Sequence, residues 1–224
     1  NKTFQILDPT IKIEWDSQDG APIRNNQTLC KIEGNTRAIL TGERTAINFL
    51  QTLSGTATTT SEYVAAVRNE KIKILDTRKT IPGLRDAQKY AVLCGGGKNH
   101  RKGLYDGILI KENHISAAGS IGAAVEILRR KNPNLKIEVE VENPKQIRDA
   151  IAAGADIILL DNFDENLIAK SLPTLSKDIL IEVSGNLTLE KVGRLSALKI
   201  DFISIGALTK NIKAVDFSMR LIEH

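Results

Sequence analysis

The sequence predicts an α/β fold in which parallel strands alternate with helices along most of the chain. The chain has 224 residues, enough for one α/β barrel, and from about residue 70 short β-branched apolar runs alternate with helical segments. The later runs begin 21 to 23 residues apart, which is the spacing of a compact strand–helix repeat. Six runs without a long break favour a barrel, although a doubly wound open sheet fits the same spacing.

The six predicted strands are residues 72–75, 107–110, 136–139, 157–160, 179–183 and 202–205. The helices predicted among them are residues 84–94, 120–131, 144–153, 164–171 and 189–196. Before this repeat, residues 4–15 are predicted to form one or two strands, and residues 28–33 another. A long helix is predicted over residues 41–68, with an interruption at the Ser-Gly-Thr of residues 54–56.

The composition is that of a soluble globular protein, with 42% hydrophobic and 26% charged residues. No apolar run approaches the roughly 18 residues of a membrane span, and residues 1–8 lack the order of a secretory signal. The two cysteines, Cys30 and Cys94, do not suggest a disulfide scaffold. We therefore expect a cytoplasmic protein that is not attached to a membrane.

Positive charge is concentrated between residues 68 and 111, where 11 Lys and Arg face 4 Asp and Glu, an excess of seven. Such a stretch is compatible with nucleic acid, with an anionic small substrate or with a solvated surface. Aromatic residues make up only 4% of the chain and do not interleave with the basic ones, so a nucleic-acid partner is not expected.

Polar residues or glycine follow every predicted strand. Because the carboxyl ends of parallel strands meet at one mouth of a barrel, or at one crevice of an open sheet, we expect these residues to form the site. They are sorted by type, since basic groups follow the early strands, carboxylates the middle ones and small residues the last two. The residues are Asp76 to Thr80, Lys111 to His114, Glu140, Asp161 with Asn162, Ser184 to Asn186, and Gly206 to Leu208.

This sorting indicates a phosphorylated sugar that meets an acidic partner. The turns at residues 184–186 and 206–207 lead into helices and would let backbone N–H groups approach a phosphate. Glu140 and Asp161 would hold Mg²⁺ or accept hydrogen bonds from ribose hydroxyls. The cations Arg78, Lys79, Arg101 and Lys111 would neutralise carboxylates or a pyrophosphate.

Other familiar motifs are absent from the sequence. Residues 95–98 resemble part of a phosphate-binding P-loop, but Asn99 follows the lysine where Ser or Thr is required. The three histidines, His100, His114 and His224, do not have the spacing of zinc ligands. We expect neither a transition-metal site nor a serine-hydrolase elbow.

Eight motifs resemble the quinolinate phosphoribosyltransferase family, from about residue 32 to the end of the barrel. The most specific are DTRKTIPGLR at residues 76–85 and GGKNHR at residues 96–101. The others are ERTAIN at 43–48, IKENH at 110–114, EVEV at 138–141, LLDN at 159–162, SGN at 184–186 and SIGAL at 204–208.

The resemblance implies an incomplete TIM-like α/β barrel joined to a smaller N-terminal α/β sandwich domain. Residues 1–35 would be a remnant of the sandwich domain, residues 36–210 the catalytic barrel, and residues 211–224 a segment that packs back on the sandwich domain. The implied reaction joins quinolinate to phosphoribosyl pyrophosphate and releases pyrophosphate and carbon dioxide, giving nicotinate mononucleotide for NAD biosynthesis. The family carries a further N-terminal stretch ahead of the point where this chain begins.

The resemblance also assigns roles to individual residues. Catalysis would depend on Lys79, Lys111, Glu140 and Asp161, the last two with Mg²⁺. The quinolinate carboxylates would be held by Arg44, Arg78, His100, Arg101 and Lys111, and Arg44 would reach the neighbouring subunit of a homodimer. The phosphoribosyl side would be lined by Thr77, Lys79, Glu140, Asp161, Ser184, Gly185, Asn186, Gly206, Ala207 and Leu208.

Two alternatives stay open. One is a related phosphoribosyltransferase-like protein that acts on another anion, such as those linked to molybdate uptake. The other is a barrel that binds a phosphorylated ligand without catalysis. Arg101 and His100 favour a dicarboxylate substrate over both.

Overall fold

The computed structural model describes residues 1–175 and 178–222. Its larger part is a six-stranded parallel sheet covered by helices, in the strand order β3-β8-β7-β6-β5-β4. These strands are β3 (Lys73–Leu75), β4 (Ile108–Ile110), β5 (Ile137–Val141), β6 (Ile157–Asp161), β7 (Leu180–Ser184) and β8 (Phe202–Ser204). The α/β prediction is confirmed, and each strand lies within two residues of its predicted bounds.

The sheet is an incomplete barrel because β3 and β4 form its two edges. The free edge of β3 is met by Lys98, which forms a parallel bridge with Leu75. The Lys98 amide donates to the carbonyl of Ile74 at 2.8 Å, and the Asp76 amide donates to the carbonyl of Lys98 at 3.2 Å. This bridge brings the segment around Lys98 and His100 to the gap in the barrel.

The main hydrophobic core lies between the sheet and the helices. Val139, Val141, Ile158, Leu160 and Val183 all belong to it and are almost fully buried. Since side chains alternate along a strand, the residues between these face the barrel interior instead. The helices of the barrel are α3 (Arg85–Cys94), α4 (Glu112–Ala118), α5 (Ile121–Lys131), α6 (Pro144–Ala152), α7 (Glu165–Ser171), α8 (Leu189–Leu195) and α9 (Ala207–Lys210).

The five helices predicted for the repeat are confirmed, and the structure adds α4 and α9. Neither of the added helices exceeds seven residues, so neither shows a helical period long enough to be recognised in the sequence. A single turn of 3₁₀ helix, Leu172–Thr174, follows α7.

The smaller N-terminal part contains α1 (Lys2–Leu7) and an antiparallel pair, β1 (Lys12–Trp15) and β2 (Cys30–Glu33). The prediction of strands throughout residues 4–15 is therefore wrong for the first half of that segment. The reason is tertiary packing, because a helical turn buries Phe4 against Ile11 and Ile39 in a small second core. Met219 also packs there, so the C-terminal segment returns to the N-terminal part.

A long helix, α2 (Thr36–Ala66), connects the two parts without a break. The predicted interruption at residues 54–56 is wrong. Gly55 is buried, and a Cβ at this position would lie 2.3 Å from the carbonyl oxygen of Lys213. The absence of a side chain at Gly55 lets the C-terminal segment pack against an intact helix. The Val215 amide of that segment donates to the Gln51 carbonyl at 3.1 Å.

The predicted divisions at residues 35 and 210 stay predictions, and the last two residues of the predicted segment 211–224, Glu223 and His224, lie outside the described residues. No helix in the described ranges is long and apolar enough to cross a membrane.

Candidate active site

Side chains from four neighbouring strands form a polar layer at the carboxyl end of the barrel. Lys111, directly after β4, pairs with the Glu140 carboxylate on β5. On the next two strands, Asp161 and Ser184 stand opposite each other in register, and the Ser184 hydroxyl donates to Asp161 Oδ1 at 2.5 Å. The structure therefore brings these four predicted site residues to adjacent positions at the mouth.

The turn after β7 approaches the turn after β6 very closely. Gly185 has φ +104°, and a Cβ there would lie 2.3 Å from Asn162 Oδ1. Asn162 and Asn186 both have positive φ, and Asn162 Nδ2 donates to Asp161 Oδ2 at 2.7 Å. Glycine is required at position 185 because any side chain would push the two turns apart. The turn leaves Gly185 half-buried and Asn186 exposed at the mouth.

Lys79 lies across the turn that follows β8. A Cβ on Gly206 would be 3.0 Å from Lys79 Cδ, so the lysine side chain passes directly over this glycine. The Thr77 hydroxyl accepts a hydrogen bond from the Lys79 amide at 3.1 Å, and Thr209 Oγ1 donates to the Lys79 carbonyl at 2.9 Å. These bonds hold a cation beside the predicted phosphate turn.

Arg78 and Arg101 lie on neighbouring loops on the basic side of the mouth. Burial and then the charge of nearby Arg78 lower the pKa of Arg101. Arg101 Nη1 donates to the carbonyl of Gly107 at 3.2 Å, while Arg78 is exposed. A pair of like charges held together in this way favours the binding of a dianion.

Arg85, to which the sequence analysis gave no role, connects the two basic loops. Its guanidinium donates to Thr80 Oγ1 at 3.1 Å, to the carbonyl of Lys102 at 3.0 Å and to the carbonyl of Arg78 at 3.2 Å. This geometry fixes the loop of Arg78 against the loop that carries Arg101. Its place in the DTRKTIPGLR motif was the only signal in the sequence.

A buried ion pair anchors the backbone of His100. Lys89 Nζ donates to Asp76 Oδ1 at 2.5 Å and to the His100 carbonyl at 2.9 Å, and the His100 amide donates to the same Asp76 oxygen at 2.8 Å. With its amide nitrogen facing inward, Asn99 donates to Asp76 Oδ2 at 2.7 Å. Burial raises the pKa of Asp76 despite these bonds. The network ties α3 to the GGKNHR segment.

The His100 ring enters the barrel interior and meets two glutamates one layer below the mouth. Its Nε2 lies 3.0 Å from Glu138 Oε2 and 3.5 Å from Glu182 Oε2. Burial lowers the pKa of His100, and its hydrogen bonds to both carboxylates oppose that effect. Burial also raises the pKa of Glu138. The ligand atoms of the three groups lie within 4.8 Å of one another.

Glu138 and Glu182 were missed by the sequence analysis, although a signal existed. Each lies two residues before a predicted mouth residue, Glu140 and Ser184, and so faces the same side of its strand. Both were read as part of an apolar run, because isoleucine and valine flank them.

Not every predicted site residue reaches the mouth. Arg44 is exposed on the N-terminal half of α2, and its side chain makes no hydrogen bond or ion pair with the described part of this chain. Leu208 is fully buried in the main core, so only its backbone faces the turn. Ala207 begins α9 and is half-buried next to Gly206.

Comparison with known proteins identifies the family of the chain. The model of the quinolinate phosphoribosyl transferase C-terminal domain matches residues 56–220, and the model of the N-terminal domain of the same family matches residues 2–54. The chain belongs to the quinolinate phosphoribosyl transferase family.

Individual family members are similar along nearly the whole chain. A Bacillus subtilis protein described as a probable nicotinate-nucleotide pyrophosphorylase (carboxylating) is 43% identical over 217 residues, which cover 96% of this chain and 75% of the relative. A mitochondrial quinolinate phosphoribosyltransferase (decarboxylating) of Nicotiana glauca is 37% identical, covering 97% of this chain and 67% of the relative. The nicotinate-nucleotide pyrophosphorylase structure of Francisella tularensis superposes with a TM-score of 0.92 at 48% identity, covering 96% of this chain and 77% of that one.

Proposed function

We propose that the protein transfers the phosphoribosyl group of phosphoribosyl pyrophosphate to quinolinate. The products are nicotinate mononucleotide, pyrophosphate and carbon dioxide, and the reaction belongs to NAD biosynthesis. Membership of the family supports this activity, as do the names of relatives at 37 to 43% identity. The observation that carries the substrate assignment is the joining of the Arg78 loop to the loop that carries Arg101, through hydrogen bonds from Arg85 to the carbonyls of Arg78 and Lys102. The two loops lie on the basic side of a mouth whose other strands supply carboxylates and glycine turns.

The mouth residues divide into a dicarboxylate side and a phosphoribosyl side. Arg78, Arg101 and Lys111 hold the two carboxylates of quinolinate, with Arg in the bidentate geometry that suits a carboxylate. Ser184, Gly185, Asn186 and Gly206 hold the 5′-phosphate, with the backbones of Ala207 and Leu208 beside them. Thr77 and Lys79 face the pyrophosphate.

Catalysis follows from the charges that develop as the pyridine nitrogen attacks the anomeric carbon and pyrophosphate departs. Positive charge grows on the ribose ring, where Glu140 and Asp161 stabilise it. Negative charge grows on the leaving group, where Lys79 stabilises it. Quaternisation of the ring nitrogen then makes the pyridine an electron sink for loss of the adjacent carboxylate, so the protein needs no covalent nucleophile.

Mg²⁺ is the cofactor that fits the donor set. Glu140 and Asp161 offer the carboxylate oxygens that Mg²⁺ prefers, and both side chains are partly accessible at the mouth. Lys111 engages one oxygen of Glu140, and Ser184 and Asn162 each engage one oxygen of Asp161, so the two carboxylates would hold the ion through their remaining lone pairs together with oxygens of the substrate. When bound, the ion neutralises charge on the pyrophosphate.

A homodimer explains the position of Arg44. Its exposed guanidinium has no partner in the described part of this chain, and α2 extends from the N-terminal part to the barrel. In a dimer Arg44 would enter the mouth of the neighbouring subunit and add a third guanidinium to the dicarboxylate side. The two free cysteines are compatible with the reducing cytoplasm as the location.

Binding calorimetry tests the substrate assignment. Arg101→Ala is expected to weaken quinolinate binding by about 100-fold, since truncating one partner of a buried charged pair costs ~3 kcal/mol. Binding of phosphoribosyl pyrophosphate is expected to change by less than about threefold, because Arg101 is on the opposite side of the mouth. Arg130→Ala, an exposed arginine in the last turn of α5, is the matched control. Equal loss of both ligands would overturn the assignment.

A further inference from the structure

Glu138 and Glu182 are buried carboxylates with an unsatisfied oxygen each. Their relative exposures are 4% and 1%, and only one oxygen of each contacts the His100 ring. The other oxygen, Oε1, has no hydrogen-bond partner among the described residues in either case. Such groups cost free energy, because burial removes the water that an ionised carboxylate would otherwise bind.

Neighbouring strands show that this layer of the barrel interior accepts apolar residues. Leu109 pairs in register with Glu138, and Leu159 pairs in register with Glu182. Replacement of a buried ionic group by a packed apolar one is often neutral or stabilising. Stability of the barrel therefore does not account for two glutamates at these positions, which points to a role in the adjacent mouth.

The contacts of the His100 ring connect these glutamates to Arg101. Ring atom Nδ1 lies 2.7 Å from the Arg101 amide nitrogen, where it can only accept a hydrogen bond. The ring proton is then on Nε2, directed at the two carboxylates. In this orientation Nε2 is not free to ligate a metal, and the ring has no further N–H to offer a substrate.

Arg101 is thus held from two sides. Its backbone is fixed by the His100 ring, and its guanidinium is fixed by the Gly107 carbonyl. The charge of Glu138 also stabilises the protonated guanidinium of Arg101, which opposes the repulsion by Arg78. Loss of the glutamates would release the His100 ring and remove that opposing charge.

We propose that Glu138 and Glu182 are positioning residues for quinolinate recognition, which act through the His100 ring to hold Arg101 beside Arg78. This inference rests on the proposed function and deepens it, because it assigns substrate affinity to two residues that do not reach the mouth. His100 is the link between them and Arg101.

The test uses Glu138→Gln, Glu182→Gln and the double variant in steady-state assays with quinolinate and phosphoribosyl pyrophosphate. The KM for quinolinate is expected to rise about 10-fold in each single variant and further in the double variant, as for other supporting residues behind a ligand. The KM for phosphoribosyl pyrophosphate is expected to stay within about twofold. Glu126→Gln, an exposed glutamate on α5, is the matched control.

Each outcome of these assays either supports or overturns the proposed positioning role of Glu138 and Glu182. An unchanged KM for quinolinate in folded variants overturns it, as does an equal rise in both KM values, which would indicate general distortion of the barrel. Copurification of one equivalent of a divalent metal that is lost in the variants also overturns it, since the three groups would then be a metal site. If the double variant does not fold, the single variants decide. If the wild-type protein does not use quinolinate, the proposed function itself fails and this inference fails with it.

Discussion

Lys111 Nζ and the Glu140 carboxylate form an ion pair at the mouth of the barrel, between the ends of β4 and β5. The lysine side chain is 42% exposed and the glutamate 12% exposed, so the pair lies at the boundary between solvent and the barrel interior. In the proposed reaction the two groups act on different partners, Lys111 on a quinolinate carboxylate and Glu140 on the ribose. The pair therefore keeps both groups in place before the substrates arrive.

Removal of the Glu140 charge should reduce turnover with little effect on stability. For Glu140→Gln we expect kcat to fall about 100-fold, as for other single groups that stabilise transition-state charge. Tm is expected to shift by no more than a few degrees, because a partly exposed ion pair contributes about 1 kcal/mol or less. Glu165→Gln, which breaks the surface pair with Arg194, is the control. Wild-type kcat in Glu140→Gln would contradict the assigned role.

Substitution of Gly185 should disturb the turn after β7 more than backbone strain alone predicts. Gly185→Ala adds a Cβ against Asn162, whereas Gly154→Ala has a comparable positive φ of +78° with nothing within 4 Å. We expect Gly154→Ala to cost about 1 kcal/mol of unfolding free energy and Gly185→Ala clearly more. Only Gly185→Ala should weaken binding of phosphoribosyl pyrophosphate in calorimetry. Equal effects of the two variants on stability and binding would rule out this account of the turn.

Removal of divalent cations should abolish turnover reversibly. We expect no product in excess chelator and full recovery on addition of Mg²⁺, because the departing pyrophosphate needs charge neutralisation. Asp161→Asn should raise the Mg²⁺ concentration for half-maximal rate by about tenfold. Asp164→Asn at the N-cap of α7, which is exposed and three residues away, is the control. Undiminished turnover in chelator would exclude the proposed cofactor.

The strands and the mouth were predictable because their signals are local. Each strand has a β-branched apolar run whose side chains fill the core beneath the helices, and the residue after each run marks the carboxyl end. Lys111, Glu140, Asp161 and Ser184 could be named for this reason, and the structure brings them to adjacent strand ends.

The remaining features depend on contacts between distant parts of the chain. Helix α2 has a glycine at position 55 because Lys213, 158 residues further along, packs there. Glu138 and Glu182 converge on His100 only when the barrel forms, and the separation of these residues in sequence carries no sign of it. Arg85 likewise unites loops at Arg78 and Lys102 through backbone carbonyls, which any residue supplies.

The most direct measurement is a product assay with quinolinate, phosphoribosyl pyrophosphate and Mg²⁺, followed by chromatography for nicotinate mononucleotide and by detection of released carbon dioxide. The account predicts both products in equal amounts, with no comparable turnover when nicotinate, which lacks the second carboxylate, replaces quinolinate. Turnover of nicotinate at a similar rate would contradict the recognition of a dicarboxylate by Arg78 and Arg101, and absence of product from quinolinate would contradict the proposed function.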